Sequence, residues 1–436
     1  MINISQQKLE ANRLRKLGKF EEALPLYREL WAKTGDKFDG AGLLHCLRNM
    51  KIFDEAIPFA DELLGKYLDF DWAHNEIIWT YIQGKLNRLK DDTPIQILIT
   101  EADHIMSLNP KDLPLKTIVF KVLKAAKALN NWKIVNEWIT KIDLSSLSAV
   151  PTSLESRKEG WSEQSQWYNY RIQGIIKLYE NEQELNEALA LSDKAIELFP
   201  KQSKFFLRLK ALCYSASGKF DDAKGIYQNL CSKPKADWWL LHEYAVVLQK
   251  QNQYDDALKF MYQAASSNYK LESMVTLFFD IGQLCNNLGK YKESRAHLLL
   301  CKYVREDKGW GVSDQMLELI KSVSIHLDDI GPPALKEAYT ECKIEWNNVL
   351  GTHDQALIAS KQREIRRNIF GTVNSIRDDR TFCFINLGSE ESLFCTKSDL
   401  PISIKNGDKV IIDAIPSFDK KKNKDSWRAI NIRIDI

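Results

Sequence analysis

Basic and aromatic residues alternate in one short segment near the end of the chain. Arg380, Phe382 and Phe384 stand two positions apart, and Phe394 follows ten residues later. Residues two apart in a β-strand share a face, so we expect these side chains to line one surface. Aromatic rings exposed on a sheet stack on bases, at about 1–3 kcal/mol per base, while basic side chains contact the phosphates. The spacing therefore predicts a surface of rings and basic side chains that can bind single-stranded nucleic acid.

Basic residues flank these aromatics. The whole chain has a net charge of +2, but roughly 15 basic and 11 acidic residues lie from Lys361 onward, so the positive excess is in the last sixth of the chain. The lysine run near residue 420 decides nothing by itself, since an exposed charge run is usually only solvated. The candidate nucleic-acid-binding residues are Arg377, Arg380, Phe382, Phe384, Phe394, Lys397, Lys420, Lys421, Lys422 and Lys424.

Residues for catalysis or metal binding form no recognisable pattern. The sequence contains no phosphate-binding loop, GxSxG, HExxH or glycine-rich dinucleotide motif. Its seven histidines are scattered, and its eight cysteines form no CxxC pair. We expect no enzyme activity, catalytic residue, metal or cofactor, and we expect buried, reduced thiols, with Cys383 and Cys395 facing a β-barrel core. The sequence has neither a signal-peptide-like start nor an apolar run of ~18 residues, so we expect a cytoplasmic protein that avoids membranes.

The elements that would position the aromatics are short β-strands. Apolar residues recur with period two after about residue 368, between Asp-Asp, Gly-Ser and Asn-Gly turns. Five short strands in fewer than 75 residues are typical of an OB-type barrel. The strands are predicted near 369–377, 380–386, 391–395, 408–415 and 427–435.

This segment resembles the cold-shock domain over about 68 residues. Arg380-Thr381-Phe382-Cys383-Phe384-Ile385 and Leu393-Phe394-Cys395-Thr396-Lys397 stand where that family has its two nucleic-acid-binding motifs. Gly371-Thr372-Val373 opens the first strand, Asn406-Gly407-Asp408-Lys409-Val410 matches the turn into the fourth, and Ala429-Ile430-Asn431-Ile432 matches the last. The resemblance implies that the aromatic face binds single-stranded nucleic acid.

Several positions depart from the cold-shock pattern. Ser375 and Ile376 replace an aromatic pair on the first strand, Thr381 and Cys383 replace glycines, and Thr396-Lys397 replaces a histidine–aromatic pair. About half of the stacking surface is therefore missing, and we expect weaker or more selective binding. An alternative stays open: Phe382, Phe384 and Phe394 form a contact with the rest of the chain or with another protein.

The larger part of the chain repeats itself. Leu17-Gly18-Lys19-Phe20-Glu21-Glu22-Ala23 recurs as close copies ending at Ala223, Ala257 and Ser294, and as a looser copy ending at Ala56. The aromatic residues Phe20 and Phe53 are 33 positions apart, Phe220 and Tyr254 are 34 apart, and Tyr254 and Tyr291 are 37 apart. Such steps are typical of the ~34-residue helix–turn–helix unit of the tetratricopeptide repeat (TPR).

Each residue type in the repeat has a physical role. A turn-permissive residue ends the first helix, the aromatic packs into the seam, and a small residue lets two backbones approach. An apolar residue one turn later continues the buried stripe. The chain thus resembles the TPR family over roughly residues 5–305, with degenerate pairs at about 71–110 and 114–142. The alternative is a set of amphipathic helices in another all-α bundle.

The predicted fold is an all-α TPR-like helical solenoid followed by a small all-β OB or cold-shock-like barrel. Between about Leu144 and Gln166 the repeat lapses, and Gly331-Pro332-Pro333 interrupts a later helical pair that we expect to cap the repeats. The predicted parts are N-terminal repeats 1–143, a connecting segment 144–166, a second repeat array 167–308, capping helices and linker 309–360, and the barrel 361–436.

These resemblances imply a non-enzymatic adaptor. A protein or peptide partner would bind the concave surface of the repeats, and single-stranded RNA, or DNA, would bind the barrel. Such a pairing of domains resembles accessory proteins of bacterial conflict or defence systems. Two alternatives stay open: a pure protein-interaction scaffold whose barrel does not bind nucleic acid, and a regulator gated by a peptide.

Overall fold

The chain forms two compact units, Met1–Pro234 and Lys235–Ile436, each described by itself. The computed structural model describes residues 4–90, 92–151, 160–232, 236–328, 331–351, 366–377, 379–388, 391–401, 404–419 and 424–434. The five-part division expected from the sequence stays a prediction. Residues 152–159 of its connecting segment, 352–360 of its capping helices and linker, and 361–365 of its barrel lie outside this set. None of the described helices is both long enough and apolar enough to cross a bilayer.

The first unit consists of helices that pack against their neighbours in the sequence. The helices are α1 Ile4–Lys16, α2 Phe20–Thr34, α3 Lys37–Asn49, α4 Phe53–Tyr67, α5 Asp71–Gly84, α6 Ile95–Met106, α7 Asp112–Ala128, α8 Trp132–Ile139, α9 Glu163–Leu178, α10 Glu182–Leu198, α11 Ser203–Ala216 and α12 Phe220–Cys231. Contacts between alternate helices, such as α3 with α5 and α9 with α11, join one pair to the next. This is the packing expected of stacked helix–turn–helix repeats.

One turn geometry recurs at the predicted repeat positions. The residue two positions before the first residue of the second helix has a positive φ, which glycine adopts without steric cost. This holds at Gly18 (73°), Lys51 (59°), Asn130 (53°), Gly218 (73°), Asn252 (60°) and Gly289 (71°). The predicted turns are confirmed, and the degenerate pair around Trp132 has the same turn.

The residues after this turn also behave as the repeat pattern predicts. Phe20 begins α2, and the acidic pair Glu21 and Glu22 lies in its first turn, where the helix dipole favours negative charge. Ala23 is fully buried, as are its equivalents Ala56, Ala223, Ala257 and Ser294. A close approach of helices explains a further small residue: a Cβ on Gly42 would lie 2.3 Å from the buried Tyr27 ring.

The helical part of the second unit contains two more pairs of this kind and two following helices. These are α13 Trp238–Lys250, α14 Tyr254–Ser267, α15 Val275–Asn287, α16 Tyr291–Asp307, α17 Asp314–Ser324 and α18 Leu335–Leu350. Helix α18 packs against α14 and α16, and its Trp346 is buried and stacks on Phe278, with ring centroids 6.1 Å apart. Helix α18 therefore covers apolar surface of the preceding repeats.

The C-terminal segment is a closed five-stranded barrel, as predicted. Its strands are β1 Arg366–Asn374, β2 Phe382–Asn386, β3 Ser392–Thr396, β4 Lys409–Asp419 and β5 Lys424–Ile434. They are joined in the order β1-β2-β3-β5-β4, and every pair is antiparallel except β3 with β5. The first strand begins three residues earlier than predicted, because Ile369 and the residues around it pair with β4 up to Ala414.

Alternate residues of each strand fill the barrel. Val373, Ile385, Leu393, Val410 and Ile412 are among its buried core residues. Cys383 and Cys395 face each other across β2 and β3 and are fully buried, which confirms their predicted position. Their neighbours in sequence must therefore point outward.

Candidate nucleic-acid interface

Three phenylalanines form one cluster on the outer face of β2 and β3. Phe384 lies directly opposite Phe394, and Phe382 is two residues before Phe384 on the same face. The ring centroids of Phe382 and Phe394 are 5.7 Å apart and those of Phe382 and Phe384 are 5.8 Å apart. All three side chains are half-buried. The predicted alternation thus places these rings together, with one side of the cluster open to solvent.

Arg380 lies at the edge of this aromatic cluster. The central carbon of its guanidinium is 5.8 Å from the centroid of the Phe382 ring, within range of a cation–π contact. Its side chain is 41% exposed and only loosely paired with Asp379, at 3.9 Å. Such an arginine can contact a phosphate while the neighbouring ring stacks on a base.

A second arginine beside the cluster, Arg428, was not among the predicted residues. The parallel pairing of β3 with β5 sets Arg428 against Phe394. Its Nη2 donates to Asp399 at 2.8 Å, and its buried Nε has no hydrogen-bond partner among the described residues. Hydrogen bonds donated by the Thr396 hydroxyl and by Arg428 hold the pKa of Asp399 below its usual value. Trp427 and Ala429 face the barrel core, so the residue between them, Arg428, faces outward. This alternation is the sequence signal that could have identified Arg428.

The other predicted basic residues are less well placed or lie outside the described residues. The Lys397 ammonium donates to the carbonyl oxygen of Arg377, so this lysine is partly engaged, while the Arg377 side chain is exposed. Lys424 begins β5, but its side chain is outside the described residues. Lys420, Lys421 and Lys422 lie entirely outside them.

The first strand contributes polar rather than aromatic surface. Asn374 lies opposite Phe384, and β1 ends there because Ser375 has a φ of 67°. Ile376 packs against the barrel core. Polar Asn374 therefore borders the cluster on this side, and Ser375 and Ile376 add no ring to it. Phe370, on the same strand, is 63% exposed but lies opposite Ile411 of β4, away from the three rings.

A second exposed aromatic surface lies on the first unit, which the sequence analysis did not predict. Phe38 and Phe70 approach at 4.8 Å between ring centroids, and Phe70 and Trp72 at 6.4 Å. Phe38 is 54% exposed. The Lys37 ammonium lies 4.8 Å from the Phe70 ring, and the Arg15 guanidinium lies 4.7 Å from the Trp72 ring. We call these residues the α3–α5 aromatic surface; it places aromatic rings beside two positive charges.

Ligands for a metal ion do not come together in the described part of the chain. No group of three histidine, cysteine, aspartate or glutamate side chains there could hold one. The histidines that contact acids do so singly, for example His242 with Asp280 at 2.8 Å.

One protein family matches part of the chain. Residues 204–343 match a domain of unknown function (DUF7017). The match runs from α11 into α18 and covers about a third of the chain. No curated protein sequence matches the chain.

Solved structures of helical repeat proteins are similar to the chain at low identity. A TPR protein of Thermus thermophilus, TTC0263, has 14% identity and a TM-score of 0.22, and covers 57% of this chain and 100% of its own. A TPR protein of Parabacteroides merdae has 12% identity and a TM-score of 0.30, covering 63% and 96%. A human IFIT1 dimer with PPP-AAAA has 12% identity and a TM-score of 0.36, covering 83% and 90%. All three TM-scores lie below 0.5, and the helix pairs with their recurring turns are what define this chain as TPR-like.

Proposed function

We propose that this protein is a cytoplasmic, non-enzymatic adaptor that binds single-stranded nucleic acid, RNA in preference to DNA, on its barrel and a peptide or protein segment on its helical repeats. The observation that carries the nucleic-acid part is the cluster of Phe382, Phe384 and Phe394, with Arg380 at its edge. Rings on an outward sheet face stack on bases of any sequence, and an adjacent arginine contacts the backbone.

The barrel architecture supports this proposal. The five strands form a small closed barrel in the order β1-β2-β3-β5-β4, in which β3 pairs in parallel with β5. This is the arrangement expected of an OB or cold-shock-like domain. In such barrels the outer face of the second and third strands is the nucleic-acid surface, and the phenylalanine cluster lies on those strands. On the repeats, the α3–α5 aromatic surface supports docking of a peptide partner, because exposed aromatic residues are enriched where proteins bind one another. A role in a bacterial defence or conflict system rests on the resemblance in domain pairing alone.

One observation favours a protein-interaction scaffold as the second candidate function. Arg428 and Lys397 both lie near the cluster, yet one pairs with Asp399 and the other donates to the Arg377 carbonyl. Among the described cations beside the rings, Arg380 is the least tightly held, because Asp379 lies 3.9 Å from its Nε, whereas Asp399 lies 2.8 Å from the Nη2 of Arg428. A cluster with so few available cations would also suit an apolar segment of a protein partner.

Fluorescence anisotropy with labelled single-stranded RNA and DNA tests the proposal on the full chain. We expect binding that weakens as salt rises, because phosphate contacts release counterions. The double variant Phe382→Ala with Phe394→Ala should bind at least tenfold more weakly, since it removes two stacking contacts of about 1–3 kcal/mol each. The same variant should keep the helical circular dichroism of the parent.

Phe370→Ala is the matched control, since it also removes an exposed barrel phenylalanine but one that lies apart from the cluster. It should bind like the parent. Equal affinity of the double variant and the parent would eliminate the stacking mechanism. Absence of salt-sensitive binding by the parent would favour the scaffold.

A further inference from the structure

A cavity of about 510 Å³ lies in the first unit, away from the α3–α5 aromatic surface. It is lined by residues of α7, α9 and α11 together with Trp161, which lies just before α9. Cavities of about 300–1,000 Å³ are the usual size of small-molecule sites. Its volume therefore suits a single small ligand.

Two cations from different helices line this cavity. Lys127 comes from α7 and Arg208 from α11, and no acidic side chain is among the described residues that line it. Lys127 is half-buried, and its ammonium lies 5.5 Å from the Tyr170 ring. Burial lowers the pKa of Lys127, and the positive charge of Arg208 lowers it further. An anion beside Lys127 would oppose both effects, because an opposite charge favours the protonated lysine.

The rest of the lining consists of flat rings and amides. Trp161 and Phe205 approach at 5.4 Å between ring centroids, at an angle of 53°. Asn169 and Gln173 lie on α9 beside them, and the Gln173 amide donates to the Asn169 oxygen at 2.7 Å. Rings provide stacking surface, and amides can both donate to and accept from a polar ring edge. Such a lining would recognise a planar heteroaromatic group.

We propose that this cavity binds a free nucleoside 5′-monophosphate, with the phosphate beside Lys127 and Arg208 and the base against Trp161 and Phe205. Lysine and arginine are the common partners of phosphate oxygens. The half-buried Lys127 would gain most from a phosphate, and Arg208 has five N–H donors with which to add a contact. The four ring and amide contacts would select a base-bearing phosphate over inorganic phosphate. The site is independent of the barrel and of the proposed peptide partner.

Titration of the full chain with the four ribonucleoside 5′-monophosphates, followed by tryptophan fluorescence and calorimetry, tests the proposal. At least one of them should bind at least tenfold more tightly than its own nucleoside and than inorganic phosphate. Lys127→Gln should weaken that binding at least tenfold, because it removes a charge-assisted phosphate contact. The variant should also unfold at the same temperature as the parent or higher, because it removes the repulsion between Lys127 and Arg208. If Lys127 had only a structural role, its replacement would lower the unfolding temperature.

Lys124→Gln is the matched control, because Lys124 is an exposed lysine on the same helix that does not line the cavity. It should bind the nucleotide like the parent. The Phe382→Ala and Phe394→Ala double variant should also bind it normally, which separates this site from the barrel. The proposal is overturned if none of the four nucleotides binds the parent more tightly than inorganic phosphate, or if Lys127→Gln binds as the parent does.

Discussion

At the scale of single residues, His297 shows how a buried polar group is fully satisfied. It is completely buried in α16, where its Nδ1 donates to the Glu293 carbonyl oxygen at 2.7 Å and its Nε2 accepts from the Trp346 indole at 2.7 Å. The Tyr262 ring stacks on it, with centroids 5.6 Å apart. Only the neutral imidazole can donate from Nδ1 and accept at Nε2 at the same time. Burial lowers the pKa of His297 to about 4.

The stability of the second unit should therefore depend on pH through His297. Its folded pKa lies below the ordinary value of about 6.5, so the unfolded chain binds the proton more readily between those pH values. Stability should be full above pH ~6.5 and should fall by up to about 3 kcal/mol as the pH drops toward 4. Urea unfolding followed by circular dichroism at several pH values measures this loss.

His297→Gln is the control for this pH dependence, because glutamine can accept from Trp346 but does not titrate. The comparison is needed because Glu345 contributes in the opposite direction. Burial and the charge of Glu293 raise the pKa of Glu345, so its protonation favours the fold as pH falls. The free energy of unfolding of the parent, measured relative to that of the variant, should decrease as the pH falls from 6.5 to 4. A constant difference across that range would contradict a neutral His297.

At the scale of elements, the turn between the two helices of a repeat is where the chain is most constrained. Gly218 has a φ of 73° and nothing among the described residues within 4 Å of the place where a Cβ would lie, so only backbone strain opposes a side chain there. Gly225, seven residues later in α12, is exposed, helical and equally unobstructed. The two glycines thus differ only in backbone conformation.

Gly218→Ala and Gly225→Ala should change stability in opposite directions. Alanine at Gly218 should cost about 1–2 kcal/mol, because the left-handed conformation brings Cβ close to the backbone. Alanine at Gly225 should gain up to about 1 kcal/mol from better helix propensity. Urea midpoints of the two variants and the parent provide the measurement. Destabilisation of similar size in both variants would show that the turn conformation is not the cause.

At the scale of the whole molecule, the eight cysteines report on folding throughout both units. Seven are buried and only Cys231 is partly exposed, and none is in a disulfide. Burial raises the pKa of Cys46, Cys213 and Cys285 to about 12, which suppresses the reactive thiolate. The burial of seven thiols agrees with the sequence prediction, and their reduced state stays a prediction.

A thiol reagent at pH 8 should label one cysteine of the native protein quickly and all eight after denaturation. The seven buried thiols should react on the order of a hundredfold more slowly than Cys231, because the reagent reaches them only after local or global unfolding. Cys231→Ser should remove the fast label and leave the slow ones. Rapid labelling of several thiols in that variant would show that the buried cysteines are accessible in the native protein.

Much of the architecture and part of the candidate site follow from the sequence because they depend on local periodicity. The repeat turns could be predicted from a glycine or asparagine two residues before an aromatic, since few residues tolerate positive φ. The alternation of Phe382, Cys383 and Phe384 determined which rings face outward and which thiol faces the core. The weak repeat around Trp132 was harder to recognise although Asn130 keeps the same backbone turn, because Ile134 and Val135 replace the acidic and small residues of the other copies.

Only the tertiary structure decided which distant residues meet. Arg428 lies beside Phe394 because β5 pairs in parallel with β3, a pairing that no local pattern encodes. Lys127 and Arg208 share a cavity because helices from separate repeats stack. His297 and Trp346, 49 residues apart, meet because α18 packs onto α16. Periodicity determines the face on which a side chain lies, whereas packing between distant elements determines its neighbours, and the chemistry of a site depends on those neighbours.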